Sequence, residues 1–185
     1  MRKIRISSGK SRGLNLVSEK NENLRPTKDR IKEALFNILQ FKIKEKNFLD
    51  LFGGTGQIGI EAFSRGAKSV TIVDNSKESI RLIKSNVSKL KISHENINIF
   101  ETDALNFLSR TESVFDIVFL DPPYTETALL ENCLNALPKV ISKNAIIITE
   151  TLSEQNTQNI CKYFSLQKKY KYGKISLNLY QNGEF

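Results

Sequence analysis

From Asn47 onward, short apolar runs alternate with amphipathic stretches, and this alternation limits the fold more than any other feature of the chain. The runs at 48–52, 69–73, 97–101, 115–120 and 145–149 have the length and near-continuous hydrophobicity of strands buried on both faces. Between them, residues 58–65, 77–90, 104–108 and 128–137 carry apolar side chains at helical spacing, with turn residues at their ends. Strands joined through helices require crossover connections, so the chain predicts a mostly parallel sheet with helices on both faces. The rhythm breaks near the end. Residues 163–170 and 175–180 flank Lys171-Tyr172-Gly173-Lys174 and read as an antiparallel hairpin.

The first 46 residues have a different character. Residues 3–7 and 14–17 alternate around the turn-rich Ser8-Gly9-Lys10-Ser11-Arg12-Gly13, which predicts a β-hairpin. Gly9-Lys10-Ser11 is not a phosphate-binding loop, because Ile4 stands where that motif needs its first glycine and no strand precedes it. After a polar linker, Arg25-Pro26-Thr27 introduces a helix, with Thr27 expected as its N-cap and Ile31, Ala34, Leu35, Ile38 and Leu39 at helical spacing. This segment holds 13 Lys/Arg against 5 Asp/Glu, whereas residues 47–185 hold 15 of each. The whole excess of positive charge therefore sits in the N-terminal quarter. Arg2, Lys3, Arg5, Lys10 and Arg12 all precede the first acidic residue, Glu19, and Arg25, Lys28 and Arg30 extend the patch. Such a surface suits a polyanion such as RNA or DNA.

At 185 residues, with 39% hydrophobic and 26% charged side chains, the chain has the make-up of a soluble globular protein. No apolar run approaches the length that spans a bilayer, and Met1-Arg2-Lys3-Ile4-Arg5 leads into polar residues, so a cytoplasmic protein is expected. Cys133 and Cys161 have no Cys or His at metal-ligand spacing, and no metal site is expected.

The first strand–helix junction reads Leu49-Asp50-Leu51-Phe52-Gly53-Gly54-Thr55-Gly56-Gln57-Ile58-Gly59. Clustered glycines let a ligand approach the backbone closely and aim helix N–H groups at it. The second strand ends at Asp74, where a carboxylate suits the two hydroxyls of an adenosine ribose. Taken alone, Gly54 to Gly59 fits G-x-G-x-x-G and admits NAD as readily as S-adenosylmethionine. Asp50, just before the glycines, would repel a pyrophosphate and meet a methionine ammonium. Asp103, beside Ala104 at the end of the third strand, can accept a hydrogen bond from an adenine amino group; an N-cap role is the lesser alternative for Asp103 and weaker still for Asp74.

The run at 114–120 ends in Asp121-Pro122-Pro123-Tyr124, on the carboxyl edge where open α/β sheets bind ligands. Asp121 and the Pro122 carbonyl are acceptors for the N–H groups of an exocyclic amine. Pro122 and Pro123 fix the backbone, and Tyr124 offers a ring on which a base can stack. In isolation such a string reads more readily as a turn whose prolines stop a strand. The glycine loop and acidic strand ends upstream favour the amine receptor.

These residues together resemble the class I S-adenosylmethionine-dependent methyltransferases, and among them the RsmD family, which methylates N2 of guanine 966 in 16S ribosomal RNA. The resemblance covers essentially the full chain. It rests on residues 5–13, on Arg25-Pro26-Thr27-Lys28-Asp29-Arg30-Ile31-Lys32-Glu33-Ala34-Leu35-Phe36-Asn37, on residues 49–67, and on Asp121 to Tyr124. The second of these blocks is the most specific. Gly54-Thr55 and Gln57-Ile58 depart from the family's more usual Ala-Gly-Ser-Gly-Ala-Leu. The resemblance implies a Rossmann-like, seven-stranded, mostly parallel sheet with an antiparallel last strand, preceded by a small N-terminal hairpin. It implies a methyltransferase domain at 47–185 and a basic RNA-contacting extension at 1–46, together one compact unit. Asp50, Gly53, Gly54, Gly56, Gly59, Asp74, Asp103 and Ala104 would line S-adenosylmethionine, and Asp121, Pro122, Pro123 and Tyr124 would hold the target base. The expected partner is 16S ribosomal RNA within an assembling 30S subunit, met by a monomer. Adenine-N6 or cytosine-N4 methylation would use the same receptor and stays open. An NAD-dependent oxidoreductase and a non-catalytic RNA-binding module are more distant readings.

Overall fold

A computed structural model describes residues 4–18, 26–90, 93–158 and 160–182. Arg2, Lys3 and Arg25 lie outside the described residues. The chain opens with a two-stranded antiparallel hairpin, β1 (Ile4–Arg5) and β2 (Asn15–Leu16), and a helix, α1 (Pro26–Ile38). It then alternates through β3 (Asn47–Asp50), α2 (Gln57–Ser64), β4 (Ser69–Asp74), α3 (Lys77–Val87), β5 (Ile97–Glu101), α4 (Ala104–Arg110), β6 (Phe115–Leu120) and α5 (Thr127–Ala136). Three strands finish it: β7 (Ile141–Leu152), β8 (Phe164–Tyr172) and β9 (Ile175–Asn182).

The seven later strands form one sheet in the order β5-β4-β3-β6-β7-β9-β8. All neighbours from β5 to β7 pair in parallel, and β9 runs antiparallel between β7 and β8. This is the sheet the sequence predicts, antiparallel last strand included. The chain order reverses between β3 and β6, so the connections leaving their carboxyl ends diverge and open a crevice there.

Both faces of the central strands are covered, which explains their near-continuous apolar character. Phe48, Ile72, Ile117 and Phe119 pack on one face with residues of α1, α2 and α3. Leu49, Val73, Val118 and Leu120 pack on the other with residues of α4 and α5. Ile4, Ile6 and Leu16 of the hairpin are buried in the first cluster, beside Ile60 and Ile72.

Several boundaries differ from the sequence reading. Thr27 is not the N-cap of α1, since the helix already begins at Pro26, whose fixed φ suits a first helical position. β3 ends at Asp50, and Leu51 and Phe52 form a bend into the glycine loop. β7 extends beyond 145–149 at both ends, because it is paired with β6 on one side and β9 on the other.

The hairpin is fastened to α2 by polar groups. Glu61, fully buried in α2, accepts from the Ser7 N–H (2.8 Å), the Ser8 N–H (3.0 Å) and the Arg65 Nε (2.7 Å), with Lys32 Nζ 3.8 Å away. Lys32 Nζ donates in turn to the Arg5 carbonyl at 2.6 Å. At the hairpin tip Gly9 has φ +81°, and an added Cβ would lie 1.8 Å from the Ser64 carbonyl oxygen, so only glycine lets the turn sit against the end of α2. Lys10 N–H donates to that carbonyl at 2.8 Å, supplying a partner for the end of the helix.

Replacing Glu61 removes the acceptor for two backbone N–H groups and leaves Lys32 buried without its counter-charge. Glu61→Ala should therefore lose about 3–5 kcal/mol in urea unfolding. Arg65→Ala, which removes only a partly exposed partner, should lose about 1 kcal/mol or less.

Candidate active site

The connections after β3, β4, β5 and β6 enclose a cleft of about 470 Å³ at the carboxyl edge of the sheet, a size typical of small-molecule sites. Gly54, Asp74, Asp103 and Ala104 line it from the predicted cofactor set, and Asp121, Pro122, Pro123 and Tyr124 line it from the predicted base-holding set. Two residues that sequence reasoning missed, Lys32 and Glu150, also lie on its wall.

Asp50, Gly53, Gly56 and Gly59 stand behind that wall. Their positions follow from packing. An added Cβ at Gly53 would lie 2.4 Å from the Ile72 side chain, at Gly59 2.7 Å from Ile72, and at Gly56 3.2 Å from Ile83. These three glycines let the loop and α2 settle directly on β4 and α3. Gly54 differs. It has φ +52°, no atom of the described residues beyond its chain neighbours lies within 4 Å of where its Cβ would be, and its N–H donates to Asp74 Oδ2 at 2.8 Å. Gly54 is thus the glycine that exposes backbone to the cleft.

The acidic strand ends hold the loops in place. Asp74 also accepts from the Ser76 N–H at 2.8 Å, while Ser76 itself caps α3 through the Ser79 N–H. Asp103 is the N-cap of α4 and accepts from the Asn106 N–H at 2.9 Å, the structural role that the sequence left open beside cofactor contact. Asp50 is almost completely buried. Its Oδ2 accepts from the Gly59 N–H at 3.0 Å, and Oδ1 has no hydrogen-bond partner among the described residues. Burial pushes its carboxyl up to about 7, opposed by the Gly59 and Phe52 N–H groups and reinforced by Asp74.

On the opposite wall the turn after β6 is set by backbone bonding, with the Glu126 N–H donating to the Pro123 carbonyl at 2.8 Å. Tyr124 is about one-third exposed, and its hydroxyl donates to Glu150 Oε1 at 2.7 Å. Burial raises the phenol pKa, and the charges of Glu150 and Asp121 raise it further. The ring is therefore anchored at its hydroxyl while part of it stays open to a ligand.

Asn86 links two segments. It accepts from the Val17 N–H (2.7 Å) and donates to the Val17 carbonyl (3.0 Å) and to the Thr55 carbonyl of the glycine loop (3.0 Å). Of the predicted RNA contacts, Arg5, Lys10, Arg12 and Arg30 are exposed, and Lys28 lies in α1. Arg5 and Arg12 share a shallow groove with Asp29 and Glu33. Lys32 lines both this groove and the cleft, so the two adjoin.

The family model described as Conserved hypothetical protein 95 matches residues 4–181. The ribosomal RNA small subunit methyltransferase D of Haemophilus influenzae is 38% identical, covering 97% of this chain and 94% of that protein. The protein of the same name from Escherichia coli K12 is 33% identical, covering 96% and 89%. The chain belongs to the RsmD methyltransferase family. A solved structure from Escherichia coli, assigned as the methyltransferase yhhF, has a TM-score of 0.85 and 32% identity and covers 98% of both chains.

S-adenosylmethionine is the methyl donor of this family, and the cleft fits it. Among the described residues lining the cleft, five are acidic (Asp74, Asp103, Asp121, Glu126 and Glu150) and one, Lys32, is basic. A sulfonium cation bearing an ammonium group suits that balance, whereas a dinucleotide pyrophosphate would meet carboxylates instead of counter-charge. The unpartnered Oδ1 of Asp50 is a further acceptor beneath the glycine loop.

The buried Asp50 has a consequence for stability. A carboxyl that ionises less readily when folded than when unfolded holds its proton more tightly in the native state, so its contribution falls as pH rises from about 4 to about 7 and is level above that. Relative to Asp50→Asn, the wild type should lose up to about 4 kcal/mol over that interval in urea unfolding. A pH-independent difference between the two proteins would refute this assignment.

Proposed function

We propose that the protein transfers a methyl group from S-adenosylmethionine to the exocyclic N2 of a guanine in 16S ribosomal RNA. Guanine 966 is the target that family likeness names, and an assembling 30S subunit met by a cytoplasmic monomer is the setting. The observation that carries this reading is Asp121-Pro122-Pro123-Tyr124 at the carboxyl end of β6, facing Gly54 and Asp74 across one acidic cleft. Among the described residues no helix is long and apolar enough to cross a membrane.

The cofactor would be held by the Gly54 backbone, by Asp74 at its ribose hydroxyls and by Asp103 and Ala104 at its adenine, with Asp50 supporting the loop from below. When bound, it supplies a methyl group on a positively charged sulfur. The chain's own residues prepare the acceptor. A guanine N2 is a weak nucleophile because its lone pair is shared with the ring. The Asp121 carboxylate and the Pro122 carbonyl accept its two N–H groups and favour a more pyramidal nitrogen, freeing that lone pair. Tyr124, fixed through Glu150, stacks on the base once it has left its own stack. The alkylated nitrogen is cationic and strongly acidic, and its proton passes to Asp121 or to water. Orientation and exclusion of water supply most of the acceleration.

Arg5, Lys10, Arg12 and Arg30, with Arg2, Lys3, Arg25 and Lys28, hold RNA phosphates, giving salt-sensitive affinity with little sequence information. Adenine N6 and cytosine N4 carry the same amine, so the product identifies the base. Incubation with labelled S-adenosylmethionine and unmodified small-subunit RNA should yield N2-methylguanosine on nucleoside mass analysis. N6-methyladenosine or N4-methylcytidine would overturn the choice.

Asp121→Ala should lower kcat at least about 10²-fold while cofactor affinity changes little. Normal turnover in that variant would sink the mechanism. Reversing Arg5 and Arg12 to Glu should weaken RNA binding, with cofactor affinity unchanged. The slope of log K against log salt should become shallower by about 1 for each phosphate that the variant no longer neutralises.

A further inference from the structure

We propose that Glu150 is the residue that selects guanine over other amine-bearing bases, by accepting a hydrogen bond from the guanine N1–H while Asp121 and Pro122 hold N2. The inference rests on the guanine-N2 reading above and extends it to how the base is told apart.

The argument starts from the sheet. β6 and β7 pair in parallel with Leu120 opposite Thr149, so the next residues along, Asp121 just past the end of β6 and Glu150 still within β7, lie side by side at the carboxyl end of β6. Both line the cleft, and both act electrostatically on the same Tyr124 hydroxyl. Glu150 is 9% exposed, and Oε1 accepts from that hydroxyl at 2.7 Å, which fixes the carboxylate against the ring expected to stack on the base. A carboxylate offers about four acceptor positions and no donor, and the Tyr124 phenol is one of its partners.

The bases differ at the atom next to the amine. In guanine the neighbour of N2 is N1–H, a donor. In adenine the neighbour of N6 is N1, and in cytosine the neighbour of N4 is N3, each a ring lone pair. Asp121 with the Pro122 carbonyl recognises an amine and no more. A second carboxylate beside it turns that receptor into a reader of guanine, because it pairs with N1–H and repels a lone pair in a largely buried setting. Nothing further is required of Glu150 in the chemical step.

The test uses the full-length wild type and small-subunit RNA assembled with a synthetic segment carrying guanine or 2-aminopurine at the methylated position. 2-Aminopurine keeps the 2-amine but presents a lone pair at N1, and it also lacks O6. Wild-type kcat/KM should fall about 100-fold or more on 2-aminopurine. Glu150→Gln, whose amide can donate to that lone pair, should bring the two substrates within about tenfold, which assigns the loss to N1 and not to O6. Equal use of guanine and 2-aminopurine by the wild type would overturn the inference while leaving guanine-N2 methylation standing. So would a Glu150→Gln variant that slows both without changing their ratio, since Glu150 would then only anchor Tyr124. Methyl transfer to adenine or cytosine would overturn the underlying reading and this inference with it. The wild-type comparison needs no variant, so equal use of the two bases overturns the inference even where Glu150→Gln is poorly folded.

Discussion

The cleft depends on how closely α2 can lie against β4. At Gly53 and Gly59 the space a Cβ would need is filled by Ile72, and at Gly56 it is crowded by Ile83. A side chain at Gly53 or Gly59 would require Ile72 or the loop to shift, and the loop also holds Gly54, whose N–H donates to Asp74. The glycines therefore do two separate jobs. Three are needed for close packing, and one exposes backbone to a ligand.

The N-terminal segment is built into the same arrangement. Glu61 lies in the helix that begins at the glycine loop, and it holds the Ser7 and Ser8 N–H groups from inside the core. Asn86 grips Val17 at the far end of the hairpin and the Thr55 carbonyl within the loop. A buried polar group with all its partners satisfied is rigid, and loss of any partner leaves a costly orphan. The basic surface and the cofactor loop consequently share one framework, and the arginines of the hairpin keep a fixed position relative to the cleft.

Much of this was legible in the sequence because it follows from periodicity and from backbone demands. Near-continuous apolar strands, amphipathic helices and clustered glycines identify a parallel sheet with a ligand at its carboxyl edge, and Asp121 to Tyr124 stand where that rule puts them. What the sequence hid were contacts between distant segments. Nothing near Glu61 or Asn86 marks them as partners of Ser7 and Val17, because each bond closes a span of more than fifty residues. Asp50 read as a ligand contact, yet its neighbours bury it and turn Oδ2 toward Gly59. Glu150 could have been found. It follows the apolar run of residues 145–149 as Asp121 follows that of 115–120, and the same edge rule applies to both.

The distribution of charge constrains what can enter. The hairpin side carries exposed Arg5, Lys10 and Arg12, and among the described residues the charged side chains lining the adjoining cleft are mostly carboxylates. Phosphates are attracted to the first surface and repelled by the second, so in the proposed reaction a nucleic acid meets the protein with its backbone outside and only a base inside. A neutral base edge rich in donors is the one part of an RNA that gains from an acidic pocket. The contrast also explains why the donor and the acceptor do not compete. In the proposed reaction the carboxylates divide between the two ligands, Asp74 and Asp103 taking the cofactor's ribose hydroxyls and adenine and Asp121 and Glu150 the donors of the base edge, so that each ligand uses its own acceptors.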